Sequence, residues 1–151
     1  MNKISNDTTL LSNINNYVHP YNTYSKIGIV SNNTGEITIN ITKLYSDSDI
    51  EKINKGVDDI ITKYIKSDMS DDDKLLVIHD YIINNTRYDI NKSNDASYTA
   101  LGPLFNGTAV CSGYADLMAI FISKFGLKNY KVASNTHVWN AVLVNGEWLN
   151  I

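Results

Sequence analysis

Thr108-Ala109-Val110-Cys111-Ser112-Gly113-Tyr114-Ala115 places the only cysteine of the chain at the start of its most clearly patterned helix. Tyr114, Leu117, Met118, Phe121, Ile122 and Phe125 recur at the three-and-four spacing of one helical face, and Gly126 follows as a stop. The thiol therefore falls among the unpaired N–H groups of a helix N-terminus, at the positive end of the dipole, where an anion is favoured. Such surroundings turn a cysteine into a thiolate nucleophile. A free cysteine serves equally well as a small apolar packing group, so the rest of the chain has to decide between the two.

With 151 residues, 43% of them hydrophobic and 19% charged, the chain is long enough for one domain with a real core. A net charge of −3 and the lack of any Lys/Arg run leave no electrostatic footprint for nucleic acid. No apolar stretch approaches the roughly 18 residues of a membrane span, and Met1-Asn2-Lys3-Ile4-Ser5-Asn6-Asp7 lacks the apolar segment of a signal peptide. These features suit a cytoplasmic protein, or a piece of a longer precursor that is secreted or displayed at the cell surface. A single cysteine excludes an intramolecular disulfide and a Cys-based zinc cage.

Upstream of the cysteine, residues 1–16 are polar and Asn-rich and read as a loosely ordered leader. Tyr17, Tyr21 and Tyr24, set around His19-Pro20, read as an aromatic lead-in to a strand. Residues 26–31 and 36–42 form a hairpin across Asn32-Asn33-Thr34-Gly35, and the alternating isoleucines of its second arm predict one buried face. Ser48-Asp49-Ile50-Glu51 has the pattern of a capping box and opens an amphipathic helix over 48–66. Ser70 caps a second helix that runs to about Asn85. His79 and Asp80 are neighbours within it, point about 100° apart, and are expected to be structural. Residues 87–106 are irregular, with 91–95 as a solvated loop and 100–105 as a short apolar segment. Downstream, three strand-like runs cover 130–134, 137–144 and 147–151, the last two joined by the hairpin signal Asn145-Gly146. The expected layout is thus the leader, a hairpin and helix over 17–69 within the same domain, and a core over 70–151.

A cysteine opening a helix and a histidine opening a later strand form the layout of a thiol–imidazole pair, with His137 as the base. Val110-Cys111-Ser112-Gly113-Tyr114-Ala115 and His137-Val138-Trp139-Asn140, with Gly146-Glu147-Trp148 downstream, resemble the core motifs of the transglutaminase-like superfamily. Ile78-His79-Asp80-Tyr81-Ile82, leading to Asn85-Thr86-Arg87-Tyr88-Asp89, resembles the segment that precedes the cysteine in bacterial members. The resemblance covers residues 70–151 and implies a papain-like α+β fold in which the nucleophile helix packs on an antiparallel sheet carrying the histidine. It implies Cys111 as nucleophile, His137 as base, and Trp139 and Trp148 as packing aromatics. The chemistry implied is acyl transfer through a thioester on a protein or peptide substrate, by cross-linking or by hydrolysis, with no metal or organic cofactor. The oxyanion would be met by the Cys111 N–H and a second donor, for which Tyr98 is the candidate, with Trp139 lining the site.

Two alternatives stand beside this one. One is a catalytically inactive binding module at the cell surface that keeps the fold. The other is a cell-wall endopeptidase of the second papain-like kind, whose Cys-Ser-Gly usually follows an Asp where this chain has Val110.

The final hairpin adds a register argument. A two-residue turn at Asn145-Gly146 pairs Val144 with Glu147, Leu143 with Trp148, Ala141 with Asn150 and Asn140 with Ile151. His137, Trp139, Ala141 and Leu143 then share a face with Trp148 and Asn150. The aspartate that completes the triad in the superfamily is expected one residue past Ile151, so His137 is expected to lack an anchor in this chain. Asn150 stands about 13 Å away along the strand and cannot replace it.

Overall fold

Ser46 and Ser70 open two long helices in the same way. Each serine hydroxyl accepts the backbone N–H three residues on, at 3.1 Å, while the carboxylate of Asp49 or Asp73 reaches back to the serine N–H. Two orphan donors are satisfied at each start. The first cap is Ser46, two residues before the expected Ser48, because Asp49 and not Glu51 supplies the returning carboxylate.

The computed structural model describes residues 8–151. Its helices are α1 (Thr8–Asn16), α2 (Asp47–Tyr64), α3 (Asp71–Asn85) and α4 (Cys111–Lys124). Its strands are β1 (Tyr24–Ser31), β2 (Ile37–Lys43), β3 (Arg87–Tyr88), β4 (Thr108–Ala109), β5 (Asn129–Ala133), β6 (Val138–Val144) and β7 (Glu147–Asn150). Helix α1 occupies the second half of the segment expected to be a loose leader; residues 1–7 lie outside the described part. It is tied down by Asn15, whose side chain donates to the Tyr24 carbonyl at 2.9 Å and accepts the Tyr24 N–H at 3.3 Å. Tyr17 then stacks on Tyr130 of β5 at 5.6 Å.

Strands β1 and β2 pair as the expected hairpin, but the buried face does not follow: Ile37, Ile39 and Ile41 are 49%, 60% and 60% exposed. The hairpin is a two-stranded sheet of its own, and its isoleucines meet mainly across the ladder, Ile27 opposite Ile41 and Ile29 opposite Ile39. Alternation marks a face; it does not supply the layer that covers it.

The segment read as irregular is pinned at both ends by a parallel ladder, Arg87 beside Thr108 and Tyr88 beside Ala109. Chain leaving α3 thus returns to its own starting point and delivers Cys111 there. Between the two strands lie a 3₁₀ turn (Asp95–Tyr98) and a π-helical turn (Gly102–Asn106).

Helix α4 is buried almost all round, at Gly113 and at every position from Ala115 to Ile122, where one buried face was expected. Ile53 and Val57 of α2, Ile78 and Ile82 of α3, and Val142 and Val144 of β6 join its Leu117, Ile120 and Phe121 in one core. The sheet is antiparallel in the order β5-β6-β7. Its last hairpin has the expected register, Val144 with Glu147, Leu143 with Trp148 and Ala141 with Asn150, and Asn140 and Ile151 exchange both backbone hydrogen bonds at 3.1 and 2.9 Å. Asn145 and Gly146 supply the positive φ values, 51° and 86°, that the tight turn requires.

One charge lies within this core. Asp116 of α4 is 1% exposed; one oxygen receives Lys131 Nζ of β5 at 2.7 Å and the other receives the Tyr45 hydroxyl at 2.6 Å. The Tyr45 oxygen in turn accepts the Ala100 N–H at 2.8 Å. Burial, and then the Asp116 charge, push the Tyr45 phenol far above its ordinary value, so it stays a donor.

Two predictions follow from this packing. Lys131→Met strands the buried carboxylate and should lower the unfolding free energy in urea by about 3–5 kcal/mol. Lys124→Met, which removes an exposed pair to Asp58 at 2.8 Å, should cost no more than about 1 kcal/mol. The second concerns Gly113, where an added Cβ would collide with the Ser97 carbonyl and stand 3.0 Å from the Thr99 carbonyl. Gly113→Ala should therefore destabilise by roughly 1–3 kcal/mol and slow alkylation of Cys111 by displacing the helix start.

Candidate active site

The start of α4 is built unlike those of α2 and α3. Val110 occupies the cap position with extended backbone (φ −95°, ψ 176°), and no side chain hydrogen-bonds the first turn. The first N–H groups of a helix have no intrahelical partner, so here they remain available to a ligand.

Neighbouring segments hold this open end in place from outside. The Val110 N–H donates to the Ser97 carbonyl at 2.9 Å, and the Ser112 hydroxyl donates to the Tyr98 carbonyl at 3.0 Å. Ser97 itself donates its hydroxyl to Asp89 at 2.8 Å. That bond, aided by the backbone N–H groups of Ser93, Asn94 and Lys92, holds the Asp89 carboxyl below its ordinary value.

A cavity of about 250 Å³ opens at the helix start, between α3, Tyr88, α4, the beginning of β6 and Ile151. Ile82, Ala115, Met118, Val138 and Ile151 give it an apolar wall. Cys111 and His137 both face it, on opposite elements, the cysteine half-buried and the histidine exposed. Among the described residues neither the thiol nor the imidazole has a hydrogen bond, so the two share the cavity without a direct bond. The His137 ring stacks on Trp139 at 5.9 Å and 19°. Trp139 lines the cavity as well, and its indole N–H donates to Asn150 at 2.8 Å. Asn150 is thereby engaged by the tryptophan.

Tyr98 lies outside the cavity wall. It is 42% exposed, and it is its carbonyl that meets α4. Two wall residues were given no part in the site by the sequence reading. His79 lines the cavity, with Nδ1 3.1 Å from the Asp80 carboxylate. Neighbouring helical residues were expected not to orient one another, but both side chains are half exposed and bend together over the helix surface. The other is Asn140, 1% exposed, with a buried Nδ2 that has no hydrogen-bond partner. Its signal in the sequence is a polar residue in a row of valines, since Val138, Asn140, Val142 and Val144 share one face of β6.

Among the described residues no group of three or more His, Cys, Asp or Glu side chains could hold a metal ion. No described helix is long and apolar enough to cross a membrane.

Comparison with known proteins places this chain in a family. No curated protein matched the chain. Among solved structures, "Crystal structure of a TGase" superposes with a TM-score of 0.57 at 16% identity, over 97% of this chain and 47% of the other. "The Crystal Structure of a Putative Cysteine Protease from Cytophaga hutchinsonii" superposes with a TM-score of 0.52 at 14% identity, over 83% of this chain and 60% of the other. This chain therefore spans about half of the first protein's length and 60% of the second's. At these identities the likeness is one of fold, and it bears out the mixed α and β architecture with α4 packed on an antiparallel sheet. The sequence profile of the transglutaminase-like superfamily matches residues 58–151, more than half of the chain, which therefore belongs to the transglutaminase-like superfamily.

Proposed function

We propose that Cys111 and His137 are the nucleophile and base of a thiol-dependent enzyme that passes the acyl group of a protein or peptide amide through a thioester. The observation that carries this reading is the uncapped start of α4, which brings the lone thiol and unpaired N–H groups to a cavity shared with an imidazole. Membership of the superfamily supports a thiol-dependent enzyme; the residue roles and the kind of acyl acceptor are our assignment.

In this mechanism the imidazole of His137 takes the thiol proton, and Sγ attacks the amide carbon. The carbonyl oxygen, now negative, is met by the Cys111 N–H at the positive end of the helix. On collapse the amine departs with the proton from His137 and leaves a thioester. A second amine or a water then attacks the thioester, giving a cross-link or a cut chain respectively. Residues 70–151 would form the catalytic core, supported by the hairpin and α2 within the same domain.

A second reading has one observation in its favour. Among the described residues no carboxylate meets His137, and the stack on Trp139 is the contact that orients its ring. A catalytically inactive binding module would tolerate this arrangement.

The two readings separate in one assay, incorporation of a fluorescent amine into casein run beside cleavage of peptide substrates. We expect turnover in at least one arm, none with Cys111→Ala, and a fall of about 10²–10⁴-fold with His137→Ala. Turnover that survives Cys111→Ala would overturn the assignment. Absence of turnover in both arms would favour the binding module.

A further inference from the structure

Three polar side chains on the cavity wall already have protein partners. The Tyr114 hydroxyl donates to the Thr86 carbonyl at 2.9 Å, the Trp139 indole donates to Asn150 at 2.8 Å, and His79 lies 3.1 Å from Asp80. Tyr88, 52% exposed, meets solvent. The thiol, the His137 imidazole and Asn140 Nδ2 are left.

Asn140 differs from the other two in being buried. It is 1% exposed, so Nδ2 has neither a protein partner nor bulk water. An unpaired buried donor is costly, and an apolar side chain of similar shape would remove the cost. The other residues on this face of β6, Val138, Val142 and Val144, are such side chains. Register cannot relieve the strain either, because the Asn140 backbone exchanges both of its hydrogen bonds with Ile151. Thr86 Oγ1 is the other buried polar atom without a partner among the described residues, and its residue is not on the cavity wall. A broken packing rule in a cavity that holds the nucleophile is the expected mark of a functional group.

We infer that Asn140 supplies the second donor of the oxyanion hole, in the role the sequence suggested for Tyr98. The inference rests on the acyl-transfer reading above. As the Cys111 Sγ bonds to the acyl carbon, the π pair of the carbonyl moves onto oxygen, and that oxygen receives the Asn140 Nδ2 N–H beside the Cys111 backbone N–H. When the pair returns to re-form the carbonyl, the bond to the leaving group breaks and the thioester remains. The amide is paired only while the oxyanion exists, so its donor strength is directed at the transition state.

The test compares the wild type with Asn140→Leu, which keeps the shape and removes the donor; Asn140→Ala serves if the leucine variant does not fold. Three quantities are read: the burst of p-nitrophenolate from p-nitrophenyl acetate, the rate of Cys111 alkylation by iodoacetamide, and the thermal midpoint. Alkylation displaces iodide at a saturated carbon and forms no oxyanion, so it reports the thiol alone. We expect the burst to slow by about 10²–10³-fold. Alkylation should be unchanged, and the midpoint equal to or above that of the wild type. A burst as fast as in the wild type would overturn the inference. So would a burst and an alkylation rate that fall together, which would mean that Asn140 only shapes the helix start. A wild type that alkylates normally but shows no burst would instead remove the acyl-transfer reading itself.

Discussion

Asp116 sits in the buried stretch of α4, and a carboxylate buried there is tolerated only because Lys131 and Tyr45 meet both of its oxygens. Desolvating such a charge costs several kcal/mol, and close, well-made contacts are needed to offset it. The partners come from different parts of the chain, β5 on one side and the segment just before α2 on the other. Through Tyr45 the same network reaches the Ala100 N–H, in the segment that leads to the cysteine. One charge thereby fixes the sheet, the helix and the loop relative to one another. The cavity lies between that helix and that sheet, so its shape depends on a bond made outside its wall.

The helix starts show a related division of roles. Helices α2 and α3 satisfy their first turns with reciprocal serine–aspartate boxes, whereas α4 leaves its own uncapped. A missing cap costs on the order of 1 kcal/mol, and the stability forgone there lies at the point where the proposed mechanism places an anion. Gly113 shows how tightly that end is held regardless, since the backbone of residues 97–99 packs against it with no room for a Cβ. Open hydrogen-bonding groups on a rigidly placed backbone are what preorganised stabilisation of an oxyanion requires.

Much of this was legible in the sequence because it is local. Helical periodicity gave α2, α3 and α4 to within a few residues, and Asn145-Gly146 determined the register of β6 and β7 pair by pair. The motifs around Cys111 and His137 pointed to the family and to two residues that share one cavity. What escaped was non-local or too short to carry a period. The β3–β4 ladder has two residues on each strand, and its partners are joined only by the fold. Alternation along β2 could not reveal that, among the described residues, no layer covers its isoleucines. Asp116 fell between the positions of the predicted apolar face, and its partners are distant in the chain. The contact of His79 with Asp80 depends on side-chain rotamers, which spacing along a helix does not determine. Asn140 was visible as an anomaly only once its own face of the strand, shared with Val142 and Val144, was known to be the core side.

The central claim is that acyl chemistry passes through Cys111, and the most direct measurement is to identify the atom that carries the acyl group. The full chain would be incubated with an activated acyl donor, quenched in acid, and mapped by peptide mass spectrometry before and after treatment with hydroxylamine. The account predicts one acyl group on the peptide containing Cys111, removed by hydroxylamine as a thioester is. Acylation confined to lysines, or an unmodified Cys111 in a chain acylated elsewhere, would contradict it.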